Sequence, residues 1–108
     1  MAMGELEQLV LLALVRLEGE GYGMEVRREI AQRTGRDVSI GAVYTTLDRL
    51  ERKGHLDSRL GEPTPERGGK AKKHYRVRAS GRRALREARR ALDLMWEGVA
   101  EAGSPKRP

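Results

Sequence analysis

A stripe of apolar residues near the C-terminus sets the strongest condition on this chain. Leu85, Ala88, Leu92, Met95, Val99 and Ala102 recur at spacings of 3, 4, 3, 4 and 3. On a helix these positions form one narrow a/d seam, the kind by which helices pair. Ser80 is a suitable N-cap, so the pattern predicts a helix over residues 80–102. Trp96 lies beside the seam. The seam can pack on its own domain or on a second copy. It is long for the first use, and the opening helix brings apolar surface of its own. A homodimer is therefore expected, through Leu6, Leu9, Leu85, Ala88, Leu92, Met95, Trp96 and Val99.

The 108 residues suffice for one domain with a modest core. There is no Phe, one Trp and three Tyr. A core of Leu, Val and Ala favours helices over a β-sandwich. Residues 4–17 are apolar nearly all round from Leu9 to Val15, as in a helix buried on most sides. The stretch Glu18-Gly19-Glu20-Gly21 breaks it. A second helix is expected up to Thr34, with Met24, Val26, Ile30 and Ala31 on its apolar face and Gly35 as its C′ residue. A third spans residues 39–54, capped by Ser39 and stopped by Gly54. Ile40, Val43, Leu47 and Leu50 share its inner face. Residues 55–60 read as a short strand, and residues 61–69, with two Pro and three Gly, as loop. Residues 72–79 alternate, with Tyr75, Val77 and Ala79 on one side, as in a strand facing a core. The tail, residues 103–108, is expected to be disordered.

Charge is unevenly spread. Residues 1–26 hold one base, Arg16, and five acids, a balance of −4. Residues 67–90 hold eleven bases and one acid, Glu87, a balance of +10. The net +6 thus conceals a basic segment with Gly and Tyr among its bases, which favours a polyanion partner over plain solvation. The absence of Cys excludes disulfides, thiolate metal sites and Cys nucleophiles. Two His, 19 residues apart, argue against a metal site, and no cofactor is expected. The longest apolar run has seven residues, against about 18 for a membrane span. A cytoplasmic protein is expected.

Helix, helix, helix, hairpin, helix is the order of a winged helix-turn-helix. The expected class is mainly α (α+β), with a two-stranded wing. Residues 1–79 form the DNA-binding domain and residues 80–102 the dimerisation helix. A major groove is about 12 Å wide and admits a helix. The reading helix needs small or hydrogen-bonding residues near its start, so that its backbone can approach the bases. Ser39, Gly41, Ala42, Thr45 and Thr46 meet that need, and Arg49 can reach a phosphate or a guanine edge. Free N–H groups at the helix start, with Ser39, can hold a phosphate. Arg67, Lys70, Lys72 and Lys73 fit a wing, residues 61–73, on the phosphate backbone or in the minor groove.

The chain resembles the PadR-like transcriptional regulators over about residues 4–102. The likeness rests on Tyr22-Gly23-Met24-Glu25-Val26, on the run from Gly41 through Tyr44-Thr45-Thr46-Leu47 to Gly54, and on Gly68 through His74-Tyr75-Arg76-Val77 with Ser80-Gly81. The resemblance implies a homodimeric bacterial winged-helix repressor on a pseudo-palindromic operator, released by an effector in some members. It implies the short subgroup with one C-terminal dimerisation helix, in which some members bind flat aromatic compounds against a Trp. Trp96 occupies a comparable place. Two positions depart from the pattern. Lys70-Ala71 stands where Pro often follows the wing glycines, and His74 where Tyr is frequent.

Several residues admit two readings. Tyr44 covers Leu47 or reaches a phosphate, and with the resemblance DNA is favoured. Tyr22 staples the second helix or contacts a phosphate. Tyr75 points with Val77 into the core. Trp96 is interface packing first and a ligand platform second. His55 and His74 are structural. The arginines of the last helix solubilise it in preference to touching DNA. Sequence-specific regulation of transcription is the first functional reading. The alternative is a winged-helix protein-interaction or RNA-binding module without operator specificity. An enzyme ranks last, since no P-loop, GxGxxG or Ser/His/Asp arrangement occurs.

Overall fold

A computed structural model describes residues 3–61 and 72–100. The chain runs α1 (Glu5–Arg16), β1 (Glu20–Tyr22), α2 (Gly23–Thr34), α3 (Ile40–Arg52), β2 (Leu56–Leu60), β3 (Lys73–Val77) and α4 (Ala79–Trp96). Both α1 and α2 begin with a glutamate three positions inside that accepts the first free backbone N–H. Gly4 N–H donates to Glu7 Oε1 at 2.9 Å, and Tyr22 N–H to Glu25 Oε1 at 2.8 Å. Gly35 closes α2 in the left-handed conformation expected of it. Ser39 Oγ accepts the Ala42 N–H at 3.1 Å, the cap anticipated for α3.

The core lies where the three helices meet the sheet. Val10, Leu11 and Leu14 of α1 pack with Val26 and Ile30 of α2 and with Val43, Leu47 and Leu50 of α3. Leu56, Tyr75 and Val77 close it from the strands, so Tyr75 is core as its alternation indicated. Ala31 is exposed, contrary to expectation, because one residue beyond Ile30 is about 100° further round the helix.

The sheet has three antiparallel strands in the order β1-β3-β2. The β2–β3 hairpin is the expected wing, with Ser58 opposite Tyr75 and Leu60 opposite Lys73. The third strand was not anticipated: β1 pairs with β3 through Gly21 and Tyr75. The Glu18–Gly21 stretch does end α1, but it also turns the chain into the sheet. Glu18 and Gly19 take φ of 67° and 96°, and Gly19 O accepts the Val77 N–H at 2.8 Å. A short Gly-containing strand carries no alternation to read.

The last helix differs at both ends from expectation. It starts at Ala79 with Arg78 in the cap position. Ser80 is not the cap; its hydroxyl donates to Gly54 O at 2.8 Å and lies 3.3 Å from His55 Nδ1. That ties the base of α4 to the turn after α3. The helix ends at Trp96, and Gly98 turns the backbone away with φ of 79°. Val99 is therefore off the helix, and Ala102 and the tail lie outside the described residues. Among the described residues no helix is long and apolar enough to cross a membrane.

Candidate nucleic-acid interface

Helix α3 has two unlike faces. Its inner face is buried through Val43, Leu47 and Leu50. Ser39, Gly41, Thr45 and Arg49 are exposed on the other side, and Ala42 is half-buried between them. Around Gly41 there is open space. The first turn therefore presents small groups and backbone to the outside, with Arg49 one turn beyond Thr45. No ion pair among the described residues engages Arg49, whereas its neighbours are committed. Arg52 binds Asp48 at 2.7 Å, and Lys53 binds Glu7 at 2.8 Å.

Thr46 departs from the predicted set. It is 3% exposed, and its hydroxyl donates to Ala42 O at 2.8 Å. It sits one position from Thr45, which rotates it towards the core side, so it is not part of the outer face. Tyr44 is 39% exposed and lies across the start of α2. A Cβ at Gly23 would fall 2.5 Å from its ring, so Gly23 is what lets the ring settle there. Tyr22, at the cap of α2, meets His74 edge-on at 4.7 Å between centroids, with Lys72 Nζ 5.8 Å from its ring. The ring thus joins the start of α2 to the wing. His74 Nδ1 also lies 3.4 Å from Glu20 Oε1, a link between β3 and β1.

At the wing, the Gly61 N–H donates to Lys72 O at 2.7 Å and extends the hairpin past Leu60. Lys72 is half-buried against Tyr22. Lys73 is salt-bridged to Glu51 Oε1 at 3.2 Å. That hydrogen bond raises the pKa of Lys73 above its ordinary value, against the opposing effect of burial. Arg67 and Lys70 lie outside the described residues. Two contributors escaped the sequence reading. Glu51 sits on the α3 flank that faces the wing, where its charge gave no periodic signal. Glu7 is buried beneath Lys53. Burial alone would raise its carboxyl pKa, but Lys53 and the Gly4 N–H outweigh it and hold the pKa below the usual value of 4.5.

A separate apolar surface runs along α1 and α4. Leu6, Leu9 and Leu85 are partly buried against the core, and Ala88 is half-buried. Leu92, Met95 and Trp96 are 53%, 77% and 49% exposed, as is Leu12 of α1 at 46%. A groove of about 500 Å³ lies between the two helices, with Leu12, Val15, Leu85, Leu92 and Trp96 on its walls and Arg82, Arg86 and Arg89 at its rim. Leu12, which was not among the expected interface residues, is exposed on this surface, at the middle of the unbroken apolar run Leu9–Val15.

A helix-turn-helix followed by a β-hairpin wing, with small residues at the exposed start of its second helix, defines the winged-helix class of nucleic-acid-binding proteins. Comparison with known proteins narrows this. The Transcriptional regulator PadR-like family matches residues 11–87. The chain belongs to that family of transcriptional regulators. It is 40% identical over 82 residues to Transcriptional regulator Rv3488 of Mycobacterium tuberculosis, covering 76% of this chain and 72% of that one. A PadR family regulator from Eggerthella lenta has a similar structure, with a TM-score of 0.70 and 31% identity over 88% of this chain and 82% of the other. F93 from STIV, described as a winged-helix DNA-binding protein, shares the fold with a TM-score of 0.63 at 21% identity, over 94% of this chain and 98% of that one.

Proposed function

We propose that this chain acts as a homodimer that binds a pseudo-palindromic operator in double-stranded DNA and represses transcription by occupying it. The observation that carries the reading is the outer face of α3: an exposed, uncrowded first turn followed by an exposed Arg49 that no ion pair among the described residues holds, on a helix whose other face is locked into the core. In this reading α3 enters the major groove. Ser39 and the helix N-terminus meet a phosphate, Gly41 and Ala42 let the backbone approach, and Thr45 and Arg49 read base edges. Tyr22, Tyr44, Lys72 and the wing bases Arg67 and Lys70 contact the backbone. Thr46 takes no part. The setting is the bacterial cytoplasm, where the chromosome is.

Dimerisation is supported by Leu12, Leu92, Met95 and Trp96, which are exposed along α1 and the far half of α4. Apolar groups gathered on one face call for a covering surface, and a second copy supplies the same stripe. The groove beside Trp96 has the size and walls for a flat aromatic effector. Such a compound would release DNA by favouring a different spacing of the two winged helices.

A titration into the duplex upstream of the protein's own coding sequence, beside a scrambled duplex, tests the reading. The expected preference for the native duplex is about a thousandfold or more. Equal affinity for both, with a steep salt dependence, would leave only electrostatic attachment. Tighter binding to single-stranded RNA than to either duplex would favour an RNA-binding module instead.

A further inference from the structure

An acid beside the DNA-facing surface of a winged helix works against phosphate contact, so a carboxylate placed there needs another role. Glu51 occupies such a place, in the last turn of α3, on the flank turned to the hairpin. Its two oxygens are divided between the two wing strands. Oε2 accepts the Ser58 hydroxyl of β2 at 2.5 Å. Oε1 accepts from Lys73 Nζ of β3 at 3.2 Å. The side chain is 29% exposed, and Lys73 Nζ also stands 5.6 Å over the ring of buried Tyr75. One carboxylate thus links β2, β3 and the helix that precedes them. Ser58 pairs with Tyr75 at the middle of the ladder and Lys73 with Leu60 at its far end, so the carboxylate holds the hairpin at two levels.

We infer that Glu51 is a positioning residue that sets the angle between the groove-reading helix and the wing, and that Lys73 serves this brace and not a phosphate. The inference rests on the DNA-binding reading above for its consequence, though the brace itself exists without DNA. A helix and a wing that engage one duplex together must hold a fixed relation. If the hairpin swings, either the helix or the wing loses its groove, while non-specific contact through loose cations survives. Glu51 therefore governs selectivity and not overall affinity.

The sign of one substitution separates this from a simple charge effect. Glu51→Gln removes a negative charge, so charge alone raises affinity for every duplex. The brace predicts that Glu51→Gln lowers affinity for the native upstream duplex about tenfold and leaves the scrambled duplex unchanged or slightly tighter. Lys73→Gln should lose selectivity to a similar degree. The charge-neutral double variant Glu51→Gln/Lys73→Gln should be no worse than either single variant, since both break one contact. Under a charge effect the double variant returns to wild-type affinity on both duplexes, and that result would overturn the inference. Amide exchange of β2 and β3 in the DNA-free protein is the independent readout. Faster exchange at Ser58 and neighbouring wing amides is expected in Glu51→Gln, with α1 and α2 unchanged. Unaltered wing exchange would overturn the brace whatever the DNA result. If wild-type protein shows no duplex preference, the functional reading fails while wing exchange still decides the brace.

Discussion

Single residues separate the proposed recognition surface from its support on α3. Thr45 and Thr46 are adjacent and chemically alike, yet one faces out and the other is buried with its hydroxyl bonded to Ala42 O. Thr46→Val should alter stability by less than about 1 kcal/mol, because the carbonyl it leaves is already in the helix ladder, and operator affinity should hold in the same titration. Thr45→Ala and Arg49→Ala should instead cost about 1–3 kcal/mol of discrimination at the base pairs they read, measured on single-base operator variants. Glu7 gives a pH prediction. Its folded pKa lies below the ordinary 4.5, so its contribution is fully present above that pH and is lost as pH falls through the lower folded value. Glu7→Gln should remove about 1 kcal/mol at pH 7, since it breaks the Lys53 link. Urea unfolding of Glu7→Gln at pH 7 and at a pH below 4.5 should show a shallower loss with acid than in the parent.

At the level of elements, the helices were legible because their apolar spacing and caps agree. Ser39, Gly35 and the Ile40-Val43-Leu47-Leu50 face mark α2 and α3 within a residue or so. The same spacing places Leu47 at full burial, so Leu47→Ala should cost about 2–5 kcal/mol by chemical denaturation. Strand β1 was not legible, since three residues with a central glycine acquire strand character only from β3 beside them. The end of α4 was overreached for a related reason. The seam continues in sequence to Val99 and Ala102, but periodicity does not register the turn at Gly98. Ser80 shows the limit of cap rules, since a nearby carbonyl, Gly54 O, takes its hydroxyl instead. On the candidate interface, the small residues at the exposed first turn of α3 could be picked out by type. Glu51 could not, because its role depends on strands that lie 7 and 22 residues further on.

For the whole molecule, the two ends of the chain, α1 and α4, share one surface and the middle of the chain, α3 and the wing, forms another. The α3–wing side carries the proposed DNA contacts, and the α1–α4 side carries exposed apolar surface and the groove beside Trp96. Leu92→Glu with Met95→Glu should therefore shift the protein to monomer in sedimentation and weaken operator binding, while the winged helix keeps its helical circular dichroism. A planar aromatic compound seated in the groove should quench Trp96 fluorescence and release DNA together. A tenfold release requires that it favour the DNA-free form by about 1.4 kcal/mol. In the proposed function, two copies of α3 read one operator as a pair. A hydroxyl-radical footprint of the protein on its own upstream duplex tests this most directly. The predicted result is two protected half-sites related by a dyad, with centres about one helical turn, or a whole multiple of it, apart. A single protected half-site, or protection without phase along the duplex, would contradict it.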